Sequence, residues 1–316
     1  MVIAHALLAP FSWVWAWATA RRLARGRPCD PGVPVICVGN LTLGGSGKTP
    51  VVRELARLLA GAGQTVHILT RGHGGRLAGP LRVDTASNTA SEVGDEAMML
   101  AADWPVWMAR DRAAGARAAV EGGTNILVMD DGHQNPSVKK ALSLVVVDGE
   151  TRDGEWPFGA GGVFPAGPLR EPLKAGLARA DAVVVLLPGD LRVADPALLS
   201  LFAGKPVLIA HLEPVAPPPG GPRIAFAAIG KPWKMERALK AAGCDIVGFL
   251  GLPDHATVGE STLAALARRA ERRGAGLVTS EKDWVKLTPA WRGRVAAWPV
   301  RVRFEDEAAA RRLIGA

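Results

Sequence analysis

Gly39-Asn40-Leu41-Thr42-Leu43-Gly44-Gly45-Ser46-Gly47-Lys48-Thr49 follows a short apolar, β-branched run, Val33–Val38, and leads into an amphipathic stretch, Thr49–Ala60. A glycine-rich turn between a buried strand and a helix is phosphate-loop context. The glycines let backbone N–H groups turn inward around phosphate oxygens at a helix N-terminus, Lys48 supplies a cation for the β- and γ-phosphates, and the Thr49 hydroxyl falls where Mg²⁺ is held. Gly44, Gly45, Ser46, Gly47, Lys48 and Thr49 are therefore the expected nucleotide-binding residues. The full pattern has a further glycine at position 42, where this chain has Thr42, so the match is to the Gly-Gly-x-Gly-Lys-Thr core. The bland alternative is a glycine-rich turn that binds nothing.

Outward from this loop, short apolar runs alternate with amphipathic stretches. Thr65–Thr70, Val106–Ala109, Asn125–Asp130, Leu142–Val147, Ala182–Leu187 and Val207–His211 read as strands, and Arg112–Glu121 as a helix between two of them. Buried parallel strands joined by crossover helices have this pattern. The expected fold is α/β: a P-loop NTPase-like α/β/α sandwich with a mostly parallel sheet, over residues 29–213. Pro214 to Pro222 holds five prolines and two glycines, more than a packed element tolerates, and marks a domain boundary. A smaller α/β domain is expected over 214–302, with strands Arg223–Ala228, Asp245–Leu250 and Gly276–Thr279 and helices near Pro232–Ala242 and Glu260–Arg272. The run Trp298–Phe304 reads as one further strand that pairs with the outgoing linker and returns residues 303–316 to the first domain.

At 316 residues, 48% hydrophobic and 22% charged, the chain has the composition of one or two globular domains, which excludes disorder, collagen and coiled coil. Its net charge of +8 favours a negatively charged partner: nucleic acid, anionic lipid or a phosphate-bearing substrate. Cys29, Cys37 and Cys244 are odd in number and far apart, against a disulfide framework or a structural zinc site and for a reducing compartment.

Residues 1–20 contain no Lys, Arg, Asp or Glu, and Arg21, Arg22, Arg25 and Arg27 follow at once. A signal peptide has the reverse polarity. A spanning helix is possible on length, but His5, Pro10 and Ser12 interrupt the apolar run, and Trp13, Trp15 and Trp17 crowd its end. Indoles belong at headgroup level, so residues 1–28 are expected to form a helix inserted shallowly in one leaflet, its arginines on anionic lipid at about 1 kcal/mol each. The alternative is a helix packed on its own domain.

Three acidic motifs carry candidate chemistry. The run Ile126–Met129 ends in Asp130-Asp131-Gly132, an apolar strand with terminal acids that would hold Mg²⁺ directly or through water, unless the pair is simply an exposed turn. Gly94-Asp95-Glu96 opens the helix Glu96–Ala102, where capping alone would explain the acids. Pro253-Asp254-His255 offers a lone histidine, a surface or capping residue unless it faces the first domain across a cleft. Two arginines suit anions because of their planar donor fork: Arg112 at a helix start, and Arg170, beside Glu171, in the rigid loop Pro165–Pro172. For each, a solvated charge is the alternative.

Taken together and in order, the N-terminal apolar helix, Val38–Thr42 leading into Gly44–Pro50, Thr70–Gly74, Gly94-Asp95-Glu96, Asp130–Gln134, Pro165–Pro172, Pro253-Asp254-His255 and Thr279-Ser280-Glu281-Lys282-Asp283 resemble the tetraacyldisaccharide 4′-kinases of lipid A biosynthesis. The resemblance spans essentially the whole chain. It implies ATP- and Mg²⁺-dependent phosphorylation of the 4′-hydroxyl of an acylated glucosamine disaccharide 1-phosphate, at the cytoplasmic face of the bacterial inner membrane. It further implies Asp95 as general base partnered by His255, Lys48 stabilising the transferred charge, and Thr49, Glu96, Asp130 and Asp131 as metal-side groups. Arg112, Gln134, Arg170 and Glu171 are similar to positions used around substrate and phosphates. Many members carry an aromatic residue where His133 stands and a histidine where this chain has Asn135, which leaves His133 as a possible substitute.

A different class of protein, the membrane-associated nucleotide switches of the partitioning or metallochaperone type, shares the Gly-Gly-x-Gly-Lys-Thr loop. The partitioning ATPases carry a lysine before the paired glycines, where this chain has Leu43, and a guanine-specific Asn-Lys-x-Asp is absent. A nucleic-acid partner is disfavoured because the arginines scatter and no aromatic-interleaved basic patch appears.

Overall fold

The computed structural model describes the backbone of residues 2–316 and the side chains of residues 7–316, so the His5 side chain lies outside the described residues. Among the described residues thirteen strands form two sheets. In chain order the first eight are β1 (Val35–Gly39), β2 (Val66–Thr70), β3 (Leu81–Arg82), β4 (Val106–Met108), β5 (Ile126–Asp130), β6 (Leu142–Asp148), β7 (Ala182–Pro188) and β8 (Val207–Pro214). The last five are β9 (Arg223–Ala227), β10 (Ile246–Gly251), β11 (Gly276–Ser280), β12 (Val295–Trp298) and β13 (Val300–Phe304).

The large sheet has the order β13-β8-β7-β6-β1-β5-β2-β4-β3 and is parallel except at its two edges, where β13 and β3 run antiparallel to their neighbours. The small sheet, β10-β9-β11-β12, is parallel throughout. Every residue of β1, β2 and β5 is buried, as a parallel strand covered on both faces requires. The expected α/β fold with a mostly parallel sheet is the observed one.

Among the described residues there are twelve α-helices. They are α1 (Val2–Arg25), α2 (Lys48–Gly61), α3 (Ala90–Val93), α4 (Asp95–Ala101), α5 (Arg112–Glu121), α6 (Leu173–Ala178), α7 (Pro196–Ser200), α8 (Pro232–Ala241), α9 (Glu260–Glu271), α10 (Glu281–Trp284), α11 (Pro289–Arg292) and α12 (Glu307–Ile314). Helix α2 buries Val51, Val52, Leu55, Ala56, Leu58 and Leu59 at helical spacing against Ile36, Val38 and Val128. Val35, Cys37, Leu127 and Met129, which alternate with those strand positions, pack on the opposite face with Ala116 and Ala119 of α5. This two-faced packing pins the C-terminal ends of β1 and β5 side by side, at the crevice where open parallel sheets bind ligands.

Trp298–Phe304 is not one strand. It breaks at Pro299, which has no N–H to continue a ladder: Trp298 ends β12 in the small sheet, and Val300 begins β13 in the large one. Pro299 accepts a hydrogen bond from Val215 N (3.0 Å), so the outgoing and returning chains lie together between the sheets.

Helix α1 runs through Pro10 rather than stopping there. Ser12 and Thr19 are buried, and the Ser12 hydroxyl donates to Val163 O (2.8 Å), whereas Trp13 and Trp17 are 73% and 61% exposed beside exposed Phe11 and Val14. One side of the helix is docked and the other is an open aromatic face. Among the described residues, no helix is long and apolar enough to cross a membrane.

Candidate active site

The glycine-rich loop leaves the end of β1 and enters α2 at Gly47, whose φ of 77° places it in the left-handed region. Lys48, at the first turn of α2, is buried and holds its Nζ 3.5 Å from Asp131 Oδ1. Asp131 itself has a φ of 51°, a conformation that non-glycine residues adopt at a cost. Arg170 holds it there, Nη1 lying 3.0 Å from both carboxylate oxygens while Nε donates to Thr42 O (2.9 Å). One guanidinium thus braces both the glycine-rich loop and the acid after β5. Burial opposes ionisation of Asp131, but Lys48 and Arg170 outweigh it and hold the carboxyl down at about 2.

Asp130 is the opposite case. It is fully buried at the end of β5, and neither carboxylate oxygen has a hydrogen-bond partner among the described residues. Burial, and then the Glu96 carboxylate, push its pKa well above the ordinary carboxylate range. Arg112 is buried rather than solvated and donates Nη2 to Asp130 O (3.0 Å); burial lowers its own pKa to about 10.

The third acidic motif is aimed by a break between helices. Thr89 and Glu92 form a capping box on α3, which stops at Gly94. Gly94 has a φ of 95°, and a Cβ there would lie 2.5 Å from His73 O, so only glycine makes this turn. Helix α4 then restarts at Asp95, one residue earlier than the sequence suggests. Asp95 is buried, its Oδ1 accepts from Glu96 N (2.9 Å), and its Oδ2 faces His255 Nδ1 at 3.0 Å. Burial opposes ionisation of Asp95, but its hydrogen bond with His255 and the nearby Lys282 hold its pKa below the ordinary value. The same hydrogen bond raises the His255 pKa, against burial and Lys282. His255, in the loop after β10, has a φ of 61°, the second strained residue of the site.

The small sheet therefore meets the glycine-rich loop directly. Gly230, after β9, abuts the loop so closely that a Cβ on it would lie 2.6 Å from Gly45 N and 3.4 Å from Asp254 Oδ2. Beside this contact lies a cavity of about 290 Å³, lined by Thr42–Ser46, Asp148, Glu155–Pro157 and Lys231 among others. Farther along the cleft Glu281 pairs with Arg53 of α2 (2.6 Å), and Lys282 reaches Glu96 of α4 (3.4 Å).

Gln134 and Glu171 are brought together, but as a brace. Gln134 Nε2 donates to Asn40 O (2.9 Å) and Glu171 Oε1 (3.0 Å), and Arg179 clamps both oxygens of buried Glu171. His133 is buried beside them, with Nδ1 2.9 Å from Ser143 Oγ and Nε2 2.9 Å from Gly176 O. A carbonyl only accepts, so Nε2 carries the proton and Nδ1 accepts from the serine. Burial lowers the His133 pKa to about 4, in keeping with a neutral structural ring. Asn135 accepts from Ser137 in a local turn. Lys282, Gly230 and Arg179 had no assigned role in the sequence. Lys282 was within reach, as the one cation of Thr279–Asp283, whereas the Gly230 contact depends on how the sheets meet.

Residues 4–316 match the family described as tetraacyldisaccharide-1-P 4′-kinase. The chain is 65% identical over 315 residues to the tetraacyldisaccharide 4′-kinase of Phenylobacterium zucineum, covering 100% of this chain and 94% of that protein. It is 63% identical to the enzyme of the same name from Caulobacter vibrioides, covering 99% and 93%. The structure is similar to that of the "apo" form LpxK from Aquifex aeolicus in complex with ATP, with a TM-score of 0.76 at 28% identity, covering 100% of this chain and 99% of that one. The chain belongs to the tetraacyldisaccharide 4′-kinase family.

Proposed function

We propose that the chain transfers the γ-phosphoryl group of ATP to the 4′-hydroxyl of a tetraacylated glucosamine disaccharide 1-phosphate at a membrane surface. The observation that carries this reading is the pairing of Asp95 with His255 across a cleft whose other wall is the Lys48 loop. The names of the relatives and the ATP in the Aquifex structure support the substrate pair.

In this reading Gly44–Thr49 hold the nucleotide phosphates, and Lys48 moves its charge from Asp131 onto the transferring group. Phosphoryl transfer needs positioning and charge stabilisation above all, and a cation already held in the loop supplies part of both. Arg170 keeps the loop and Asp131 in register, and Arg112 keeps the end of β5 in place.

The acceptor hydroxyl must lose its proton as the bond to phosphorus forms. Sequence resemblance assigns the base role to Asp95, with His255 assisting. The geometry favours a division of labour in which His255 Nε2 receives the proton and Asp95 orients the ring through Nδ1. The Asp95 side chain is 5% exposed against 30% for His255, and the raised pKa of His255 suits a base working near neutrality better than the lowered one of Asp95.

Thr49 and Asp130 fit Mg²⁺. The unpartnered carboxylate oxygens of Asp130 are the donors a hard cation takes, whereas Asp131 is committed to Lys48 and Arg170, and Glu96 to Lys282. Among the described residues no group of three or more His, Cys, Asp or Glu side chains is arranged to hold a metal alone, in keeping with an ion that binds together with nucleotide phosphates. When bound, Mg²⁺ neutralises charge on the β- and γ-phosphate oxygens.

The open face of α1, with Phe11, Trp13, Val14 and Trp17, fits shallow insertion in the cytoplasmic leaflet of the inner membrane, with the arginines after it on anionic headgroups. Residues 29–213 with 303–316 form the nucleotide half of this machine, and 214–302 the half that brings His255 to Asp95. The test is product identity: incubation with ATP, Mg²⁺ and tetraacyldisaccharide 1-phosphate in detergent micelles should give a 1,4′-bisphosphate by phosphorus NMR. ATP consumption with the lipid unchanged would contradict the reading.

A further inference from the structure

Thr279-Ser280-Glu281-Lys282-Asp283 is a sequence motif that the phosphate loop and the Asp95–His255 pair leave without a task. Its local structure is rigid. β11 ends at Ser280, which caps α10: Ser280 Oγ accepts from Asp283 N (3.1 Å) and donates to Asp283 Oδ2 (2.6 Å). Buried Asp283 also accepts from Ala228 N (2.9 Å) and pairs with Lys286 (2.7 Å), so the turn is fixed to β9 and the residues after it. Thr279 donates its hydroxyl to Phe226 O (2.7 Å).

What this scaffold presents is Lys282. Its Nζ lies 3.2 Å from His255 Nε2, 3.2 Å from Asp254 Oδ1 and 3.4 Å from Glu96 Oε1. An ammonium has three protons and no lone pair, so it can only donate. A protonated Nε2 would set two N–H groups against each other at that distance. The contact is favourable only when Nε2 is bare, which leaves the single ring proton on Nδ1, where it is donated to Asp95 Oδ2.

We propose that Lys282 is a positioning residue that holds His255 in its neutral, Nδ1-protonated form, keeping Nε2 unprotonated until the acceptor hydroxyl takes the ammonium's place there and gives up its proton. The two carboxylates beside it, Asp254 and Glu96, hold the ammonium in place. This rests on the reading of His255 as the proton acceptor. The other ionisable groups facing the ring are Asp95 from α4, Asp254 from its own loop and His73, whose ring packs edge-on at 5.1 Å between centroids, while Glu96 meets Lys282 rather than the ring. Lys286 adds positive charge on the Asp95 side. Asp95 favours a protonated ring and Lys282 opposes it, so the balance between them sets the proton count.

The test uses the full-length protein without nucleotide, its histidine ring nitrogens followed by NMR against pH, in wild type, Lys282→Met and Lys282→Arg. In wild type just above the titration midpoint, His255 should carry its proton on Nδ1. Lys282→Met should raise the midpoint by about one pH unit, and Lys282→Arg, which keeps the charge, should leave it within a few tenths. The acid limb of kcat/KM should move upward with it. An unmoved His255 midpoint in folded Lys282→Met, or a wild-type ring protonated on Nε2 instead, would overturn the proposal. Should the midpoint move while His255→Ala retains full kcat, Lys282 tunes the ring and it is the base assignment that fails.

Discussion

His255 Nδ1 and Asp95 Oδ2 stand 3.0 Å apart although 160 positions separate them and each is presented by a different sheet's unit. Neither local setting produces this pairing alone. Gly94 breaks the chain so that Asp95 opens α4, and His255 adopts a positive φ to reach it. The positive φ is free of cost at Gly94 and strained at His255, so one end of this hydrogen bond is held in a sparsely populated conformation.

The pair gives a pH dependence whose sign follows from its charges. Asp95 raises the His255 pKa above its ordinary 6.5, and a proton acceptor works only when neutral. Activity should therefore fall as pH drops through a midpoint above 6.5. In Asp95→Asn the raising charge is gone, so the acid limb should move down in pH while kcat drops by about 10²-fold. A limb that stays in place would separate Asp95 from the titrating group.

Gly230 tests the contact between the small sheet and the glycine-rich loop. Gly230→Ala places a methyl 2.6 Å from Gly45 N, and the backbones must separate to admit it. We expect kcat to fall about tenfold, because small misplacements of reacting groups are costly. ATP affinity, measured by equilibrium binding, should change less than threefold. An unchanged kcat would mean that this contact is not used during turnover.

His133 belongs to the framework, and its variants should behave accordingly. His133→Ala leaves the Ser143 hydroxyl and the Gly176 carbonyl without their partner, at a cost of about 3 kcal/mol in denaturant unfolding. Turnover per folded molecule should stay within threefold of wild type. The folded-state pKa of about 4 lies below the unfolded value of 6.5, so the ring's contribution is present above pH 6.5 and is lost as pH falls from there toward 4. Stability of the wild type should decline across that window more steeply than that of the variant.

The open face of α1 can be tested without disturbing its docked side. Replacing Phe11, Trp13 and Trp17 together by serine leaves the Ser12 and Trp15 hydrogen bonds to the Val163 and Arg170 carbonyls intact. Flotation with vesicles containing anionic lipid should show at least a tenfold loss of bound protein. Equal flotation would show that this face is not the anchor.

Much of this molecule was legible in the residues. The parallel strands announce themselves as short apolar runs, and the glycine-rich loop is placed by the strand before it and the helix after it. The division at Pro299 was not legible, because Trp298–Phe304 alternates as a single strand would and only the proline's missing donor, set against two competing sheets, splits it. Within the site, local motifs nominated Lys48, Asp95, Asp130 and His255, since each has chemistry and a setting that can be read over a few residues. They did not distinguish Asp130, whose oxygens have no partner among the described residues, from Asp131, whose oxygens are taken by Lys48 and Arg170, because that depends on a loop 39 residues away. Glu171 and Gln134 read as substrate groups for the same reason: nothing local reveals that Arg179 and Asn40 already hold them.

On the proposal above, the Asp95–His255 pair serves phosphoryl transfer from ATP to the lipid's 4′-hydroxyl. Its most direct measurement follows labelled γ-phosphate from ATP into tetraacyldisaccharide 1-phosphate in detergent micelles, comparing wild type with Asp95→Ala and His255→Ala. We predict transfer by wild type and a loss of at least 10²-fold in kcat for each variant, with ATP binding nearly intact. Full-rate transfer by folded Asp95→Ala and His255→Ala, or none by ATP-binding wild type, would contradict it.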